Sequence, residues 1–414
     1  MGMSKLRFKA DDGSTFPAWE EKRLSDIVDR VTRKNKANET DIPLTISSID
    51  GLVDQRDYFK KTVASKDMSG YYLLKNGEFA YNKSYSVGFD CGSIKRLDKY
   101  PCGALSTLYI CFGLKPDANI DSDYMAYSFD SQKWNPEVKA ICAEGARNHG
   151  LLNVPTTDFF NIKVSLPSLP EQRKIADLLS AVDAVIAAQQ AEVDAWKQRK
   201  KGVMQKLFSQ EVRFKADDGS EFPEWEEKTL GDLGRLRNGY AFKSDSYVPH
   251  GKYRVITIAN VQGERYVTEL ERANTVNQIP DNIASWQILK ESDILISLTG
   301  NIGRVSLNTG CNNLLNQRVG LFEVFSPISD RQWVFQRLSA NDFRNAMEGA
   351  GQGAAQKNIS RGDVESFPLS VPSLPEQRKI ADCLASMDEV IQKSKDELVK
   401  WQELKKGLLQ QMFV

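Results

Sequence analysis

The sequence is short of the residues that build metal and acid–base chemistry. It has two histidines, His149 and His250, and six cysteines at 91, 102, 111, 142, 311 and 383, none in a CxxC pair. That excludes a zinc set and leaves six reduced, packed thiols as the expectation. There is no excess of either charge, 55 Lys+Arg standing against 55 Asp+Glu, so the chain is not a simple basic nucleic-acid domain, although charge confined to one face would escape this balance. No apolar run approaches the ~18 residues of a membrane span, and Met1 to Ala10 contains no apolar signal core, so a cytoplasmic location is expected. Also absent are a P-loop, an Asn/Asp-Pro-Pro-Tyr/Phe adenine-methyltransferase motif, a paired-carboxylate nuclease pattern and a Ser/His/Asp set.

What the chain does have is duplication. Pro167-Ser168-Leu169-Pro170-Glu171-Gln172-Arg173-Lys174-Ile175-Ala176-Asp177 recurs letter for letter from Pro372 to Asp382, and Arg7-Phe8-Lys9-Ala10-Asp11-Asp12-Gly13-Ser14 recurs from Arg213 to Ser220. Trp19-Glu20-Glu21-Lys22 likewise returns as Trp225-Glu226-Glu227-Lys228. Repeats of this size argue for two-fold pseudo-symmetry within one chain. After each Pro-Ser-Leu-Pro the apolar residues step by four and three: Ile175, Leu179, Val182, Ile186, then Val193, Trp196, Val203 and Leu207, and in the second copy Ile380, Leu384, Met387, Ile391, then Leu398, Trp401, Leu408 and Met412. This heptad seam predicts two long helices that bury one another. Polar residues interrupt it at matching places, Gln189 and Ser394, expected to set register, and Lys200 and Lys405, expected to snorkel to solvent. Ser168 with Glu171 and Ser373 with Glu376 have capping-box spacing, and Pro170 and Pro375 fit a first turn. From Ser168 to Phe208 the helix would be about 60 Å long.

Between the repeats lie two stretches that barely match. The first, around 28 to 165, has strand-like runs at Pro43 to Ile49, Glu78 to Tyr81 and Leu105 to Phe112, with a helix over Asp121 to Trp134. The second, about 234 to 368, has strands at Tyr253 to Ile258, Asp293 to Leu298, Arg304 to Leu307 and Arg318 to Phe325, with a helix over Arg331 to Met347. Both read as mixed α/β domains.

A repeated frame carrying divergent inserts fits two different recognition events at a fixed spacing. With its paired Pro-Ser-Leu-Pro-Glu-Gln-Arg-Lys-Ile-Ala-Asp openings at 167 and 372, the helices after them, the Trp-Glu-Glu-Lys lead-ins at 19 and 225 and the loop Thr299-Gly300-Asn301-Ile302-Gly303-Arg304-Val305, the chain resembles the specificity subunit of type I restriction-modification systems. The resemblance spans essentially the whole chain. It implies an α+β fold with two pseudo-symmetric α/β target-recognition domains separated by two long helices that form an antiparallel intramolecular coiled coil. The boundaries follow as 1–166 for the first domain with its lead-in, 167–211 for the first spacer helix, 212–371 for the second domain with its lead-in, and 372–414 for the second spacer helix. It also implies a subunit without chemistry that reads an asymmetric bipartite site in double-stranded DNA. Two modification (adenine methyltransferase) subunits and two restriction subunits would accompany it, and S-adenosylmethionine, ATP and Mg would belong to those partners. The competing reading is an architectural coiled-coil scaffold whose two globular domains bind proteins.

Base reading needs Arg, Asn, Gln or Lys on loops facing a groove. In the second domain the candidates are Arg237, Asn238 and Tyr240; Thr299, Asn301 and Arg304 on a Gly-flanked turn; Gln317 and Arg318; and Gln352, Gln356, Lys357 and Asn358. In the first they are Lys83, Tyr85, Lys95 and Arg96, then Arg147, Asn148 and Asn153, chosen because alignment of the spacer copies sets Arg147 opposite Gln352 and Asn153 opposite Asn358. For any one position the alternative is a solvated turn or strand residue. Gly349-Ala350-Gly351-Gln352-Gly353 follows a predicted helix and opens no βαβ unit, so it reads as a mobile or DNA-facing loop rather than a nucleotide site. Arg33-Lys34-Asn35-Lys36 is a further candidate phosphate grip, against the plainer reading of a solvated loop.

Overall fold

A computed structural model describes residues 6–59, 65, 67–86, 88–142, 152–351 and 358–413. Packing divides the chain into two units, Met1–Gln189 with Glu397–Val414, and Gln190–Asp396. Each unit therefore takes the start of one long helix and the end of the other.

The helices run Leu169–Phe208 and Leu374–Met412, and no seam position on either is exposed. In unit 1, Ile175 and Leu179 share a core with Met412 and Phe413. In unit 2, Ile380, Ala381 and Leu384 share one with Met204 and Leu207. Beginning meets end in both, so the helices are antiparallel. The seam lysines do not snorkel. Lys200 Nζ lies 2.6 Å from Asp388 Oδ1, with side-chain exposures of 12% and 8%, and Lys405 Nζ lies 2.7 Å from Asp183. An ammonium this deep needs a counter-ion, and the facing helix provides it. Each aspartate also binds the domain above it: Tyr127 Oη donates to Asp183 at 2.8 Å and Gln336 Nε2 to Asp388 at 2.8 Å. Ser394 is buried and Gln189 half-buried.

The capping boxes at 168 and 373 do not form. Glu171 is taken by Arg7 at 2.9 and 2.6 Å, and Glu376 by Arg213 at 3.1 and 2.9 Å together with Trp225 Nε1 at 3.0 Å, leaving the Ser168 and Ser373 hydroxyls buried without partners. Arginine wins because both carboxylates are fully buried, where a charged partner stabilises more than a backbone N–H. The adjacent glutamines tie in the domains. Gln172 accepts from Asp121 N at 2.9 Å and Gln377 from Asp330 N at 2.8 Å, and Asp121 and Asp330 in turn cap the helices that start at Ser122 and Arg331. The identical Glu-Gln of the two repeats thus strap lead-in and domain onto each helix start.

The divergent middles share the topology of their main sheet. Unit 1 has an antiparallel sheet in the order Val28–Arg30, Ile110–Leu114, Phe79–Asn82, Ser93–Arg96, and unit 2 one in the order Gly234–Asn238, Val319–Val324, Ile294–Ser297, Val305–Leu307. Beside the first stands Gly51–Asp54, Pro43–Ser47, Cys102–Leu105, Tyr72–Lys75, and beside the second Asn274–Val276, Tyr253–Ile256, Asn313–Leu315. The expected strand Leu105 to Phe112 is two strands in different sheets, turned by Ser106–Tyr109, whose backbone closes at 3.2 Å. The expected helix Arg331 to Met347 breaks into Arg331–Leu338 and Asn341–Ala350, and that over Asp121 to Trp134 covers Ser122–Asp130. All six cysteines are free.

Candidate nucleic-acid interface

One end of each four-stranded sheet collects the polar candidates. In unit 2, antiparallel register sets Asn238 beside Gly320 and Ser297 beside Val319, so the loops leaving the strands at 238 and 297 and the turn entering at 319 lie together. Backbone bonds stitch them: Tyr240 N to Leu315 O at 2.7 Å, Gln317 N to Tyr240 O at 2.9 Å, Leu298 N to Arg318 O at 3.0 Å and Ile359 N to Leu298 O at 3.0 Å, with Thr299 bridged to Asn358. Gly239 is required by this stitching, since a Cβ there would meet Asn316 O at 2.1 Å. The side chains of Asn238, Asn301, Gln317, Arg318 and Asn358 are exposed at this end. They offer donors and acceptors in the combination that base edges require.

The other unit 2 candidates are anchored. Arg237 Nε is 3.0 Å from Glu323 and its guanidinium stacks 4.6 Å from the Trp286 ring. Glu323 also holds Arg235 at 2.6 Å, and these hydrogen bonds, Arg235's first, keep its carboxyl below the usual range despite some burial. Tyr240 Oη donates to Asn282 at 2.8 Å. Arg304 bonds the side chain of Gln262, while its Nε and Thr299 Oγ1 are buried without partners. A cleft of about 880 Å³ lined by Arg235, Arg237, Trp286, Lys290, Arg331 and Arg378 opens beside Glu323, toward the sheet end opposite Asn238 and Gly320. Its paired arginines are held in fixed poses, suited to a phosphate backbone.

In unit 1 the equivalent end carries Lys83 and an exposed Tyr85 just after Phe79–Asn82, with Leu152 N donating to Lys83 O at 2.9 Å and Asn153 exposed beside it. Lys95 and Arg96 lie elsewhere. Their register partners are Ala80 and Phe79, which puts them toward the opposite end, and both are struts. Lys95 binds Asp130 at 2.7 Å, and Arg96 binds Asp98 and Asp123 at 2.6 Å each. Of the phosphate-grip run, Arg33 pairs with Glu78 at 2.8 Å, Lys34 donates to Gly70 O at 2.9 Å, and Asn35 is fully buried. Arg147, Asn148, Gln352, Gln356 and Lys357 lie outside the described residues, as does Gly353 of the Gly349–Gly353 loop. Among the described residues no group of His, Cys, Asp and Glu is placed to hold a metal.

Two stretches, residues 18–195 and 223–400, match the model of the type I restriction modification DNA specificity domain. The chain belongs to that family. Its repeats, lead-in to spacer, are thus two specificity domains in tandem. The MjaVIII type I restriction enzyme specificity subunit of Methanocaldococcus jannaschii is 26% identical over 423 residues, covering 97% of this chain and 94% of that protein. The EcoAI specificity subunit of Escherichia coli is 29% identical over 242 residues, 55% of this chain and 37% of that one. The crystal structure of the type I S subunit from M. genitalium has the same fold, with a TM-score of 0.53 at 15% identity over 100% of this chain and 99% of that one. As a specificity subunit the chain confers DNA sequence selection and no catalysis of its own.

Proposed function

We propose that each unit reads one half of an asymmetric, bipartite site in double-stranded DNA with the sheet end described above. The long helices, whose length is common to both copies, set the gap between half-sites and dock two adenine-methyltransferase subunits. Restriction subunits join the same cytoplasmic assembly, and S-adenosylmethionine, ATP and Mg are bound by those partners. The observation that carries this reading is that two middles with little common sequence share the topology of their four-stranded sheet and differ in the side chains at the same sheet end: Asn238, Asn301, Gln317, Arg318 and Asn358 in unit 2 against Lys83, Tyr85 and Asn153 in unit 1. A shared scaffold with different tips is what two different half-sites demand. The test is binding of the purified methyltransferase complex to its bipartite duplex and to a scrambled one across a salt series. Selective binding that weakens steeply with salt is expected. Equal binding to both duplexes, or protein-only association, would favour the scaffold reading.

A further inference from the structure

The three most exposed large apolar side chains among the described residues are Ile49 at 87%, Leu108 at 69% and Tyr85 at 60%. One exposed leucine needs no explanation, but these three meet at one end of unit 1, Ile49 and Leu108 on two turns and Tyr85 on the segment that follows Phe79–Asn82. Pro43–Ser47 and Cys102–Leu105 run parallel, pairing Leu44 with Leu105, so the turns that follow them, carrying Ile49 and Leu108, leave the same end. Ile110 pairs with Tyr81, which brings the turn with Leu108 to the end where Lys83 and Tyr85 follow Phe79–Asn82. Ser48 Oγ lies 3.0 Å from Ser86 Oγ and 3.1 Å from Ser93 Oγ, joining the turn of Ile49 to the segment of Tyr85.

The turns are built, not slack. Ser47 Oγ donates to Asp50 at 2.8 Å and accepts from Asp50 N at 3.0 Å, and Tyr109 N closes on Ser106 O at 3.2 Å while Tyr109 Oη stands 3.5 Å from Thr45 Oγ1. Each holds an aliphatic group out into water at a free-energy cost. The corresponding end of unit 2 instead shows the amides and guanidinium of Asn238, Asn301, Gln317, Arg318 and Asn358.

We propose that Ile49 and Leu108 contact thymine 5-methyl groups in the half-site read by unit 1, with Tyr85 packing at their edge. This rests on the reading that the sheet end faces DNA. In the major groove the thymine methyl is the one apolar feature of the base edges, so it is the partner an aliphatic tip at this end finds there. Unit 1 thus reads thymines by shape and apolar contact, whereas unit 2 reads its half-site by hydrogen bonds.

The test uses the assembled methyltransferase complex and its cognate duplex with thymidines replaced one at a time by deoxyuridine, which removes only the methyl. In the unit 1 half-site at least one replacement is expected to weaken binding or methylation by roughly three- to tenfold, and Ile49→Ser or Leu108→Ser should abolish that sensitivity. Both side chains lie on exposed turns, so thermal unfolding of either variant should match the parent and separates folding from reading. A half-site without thymine on either strand, uniform tolerance of deoxyuridine, or unchanged sensitivity in both variants would overturn the proposal. So would variants that lose methyltransferase association while keeping base discrimination, which would assign the turns to a protein partner. A complex that selects no bipartite sequence at all would instead overturn the DNA reading on which the proposal rests.

Discussion

Replacing Asp388 with alanine probes the helix pair where it is least forgiving. Its carboxylate takes Lys200 Nζ at 2.6 Å and Gln336 Nε2 at 2.8 Å, and the lysine side chain is 12% exposed. Removal leaves a buried ammonium without its counter-ion and a buried amide without its acceptor, a loss of about 3–5 kcal/mol. Asp183→Ala is the internal control, because there the lysine and aspartate side chains are 23% and 37% exposed. Lys405 can rehydrate, and the cost should be near 1 kcal/mol. The double variant Lys200→Met, Asp388→Leu removes the charges together and should recover most of that loss, the remaining deficit being the buried Gln336 amide left without its acceptor. Urea unfolding followed by circular dichroism measures all three. Burial pushes the Lys200 pKa below its usual 10.5 while Asp388 pulls it back up. Between the lowered value and 10.5 the unfolded chain binds the extra proton, so stability rises with pH across that window, and the deficit of Asp388→Ala should shrink on approach to pH 10.5. Equal losses for Asp388→Ala and Asp183→Ala, or a double variant no better than the single, would refute this reasoning.

Three further outcomes follow from the same contacts. Arg7→Ala strips the fully buried Glu171 of its bidentate partner and should cost about 3 kcal/mol, read by urea midpoint, with Arg7→Ala, Glu171→Leu recovering most of it. Glu264 binds Lys395 and Lys197; burial raises its pKa, but the lysines outweigh that and leave it below 4.5. Its stabilisation is therefore full above that value and lost as pH falls through the lowered pKa, and Glu264→Gln should flatten the acid limb of the stability–pH curve. Inserting four helical residues after Ala188 adds about 6 Å of helix and should widen the gap in the methylated motif by one or two base pairs, as sequencing of methylated adenines would show; altered half-sites with an unchanged gap would count against the ruler.

The frame was legible because it rests on periodicity and repetition, which are local. Heptad spacing placed both long helices, and every seam residue from Ile175 to Leu207 and Ile380 to Met412 turns inward. Some misreadings are local, the strand over Leu105 to Phe112 and the helix over Arg331 to Met347 each being broken by a short turn, but those of the long helices concern partners distant in sequence. Glu171 has capping spacing to Ser168 but meets Arg7, 164 residues away, and Lys200 finds Asp388 at a separation of 188. The turns carrying Asn238, Asn301 and Arg318 announced themselves through glycine and short polar runs. Which end of a strand faces outward did not, because Lys95 and Arg96 are sent away from Lys83 only by antiparallel register. Nothing in the sequence distinguishes an aliphatic side chain held out on a turn, as Ile49 and Leu108 are, from one folded in.

The most direct measurement is a map of methylated adenines in DNA from cells that co-express this chain with its adenine methyltransferase, repeated with Gln317→Ala, Arg318→Ala. An asymmetric two-part motif with a fixed gap is expected for the parent. In the variant one half should relax, at a cost of about 1–3 kcal/mol per lost base contact, while the other half and the gap stay unchanged. A single contiguous motif, or a variant that degrades both halves together, would contradict the assignment of one half-site to each unit.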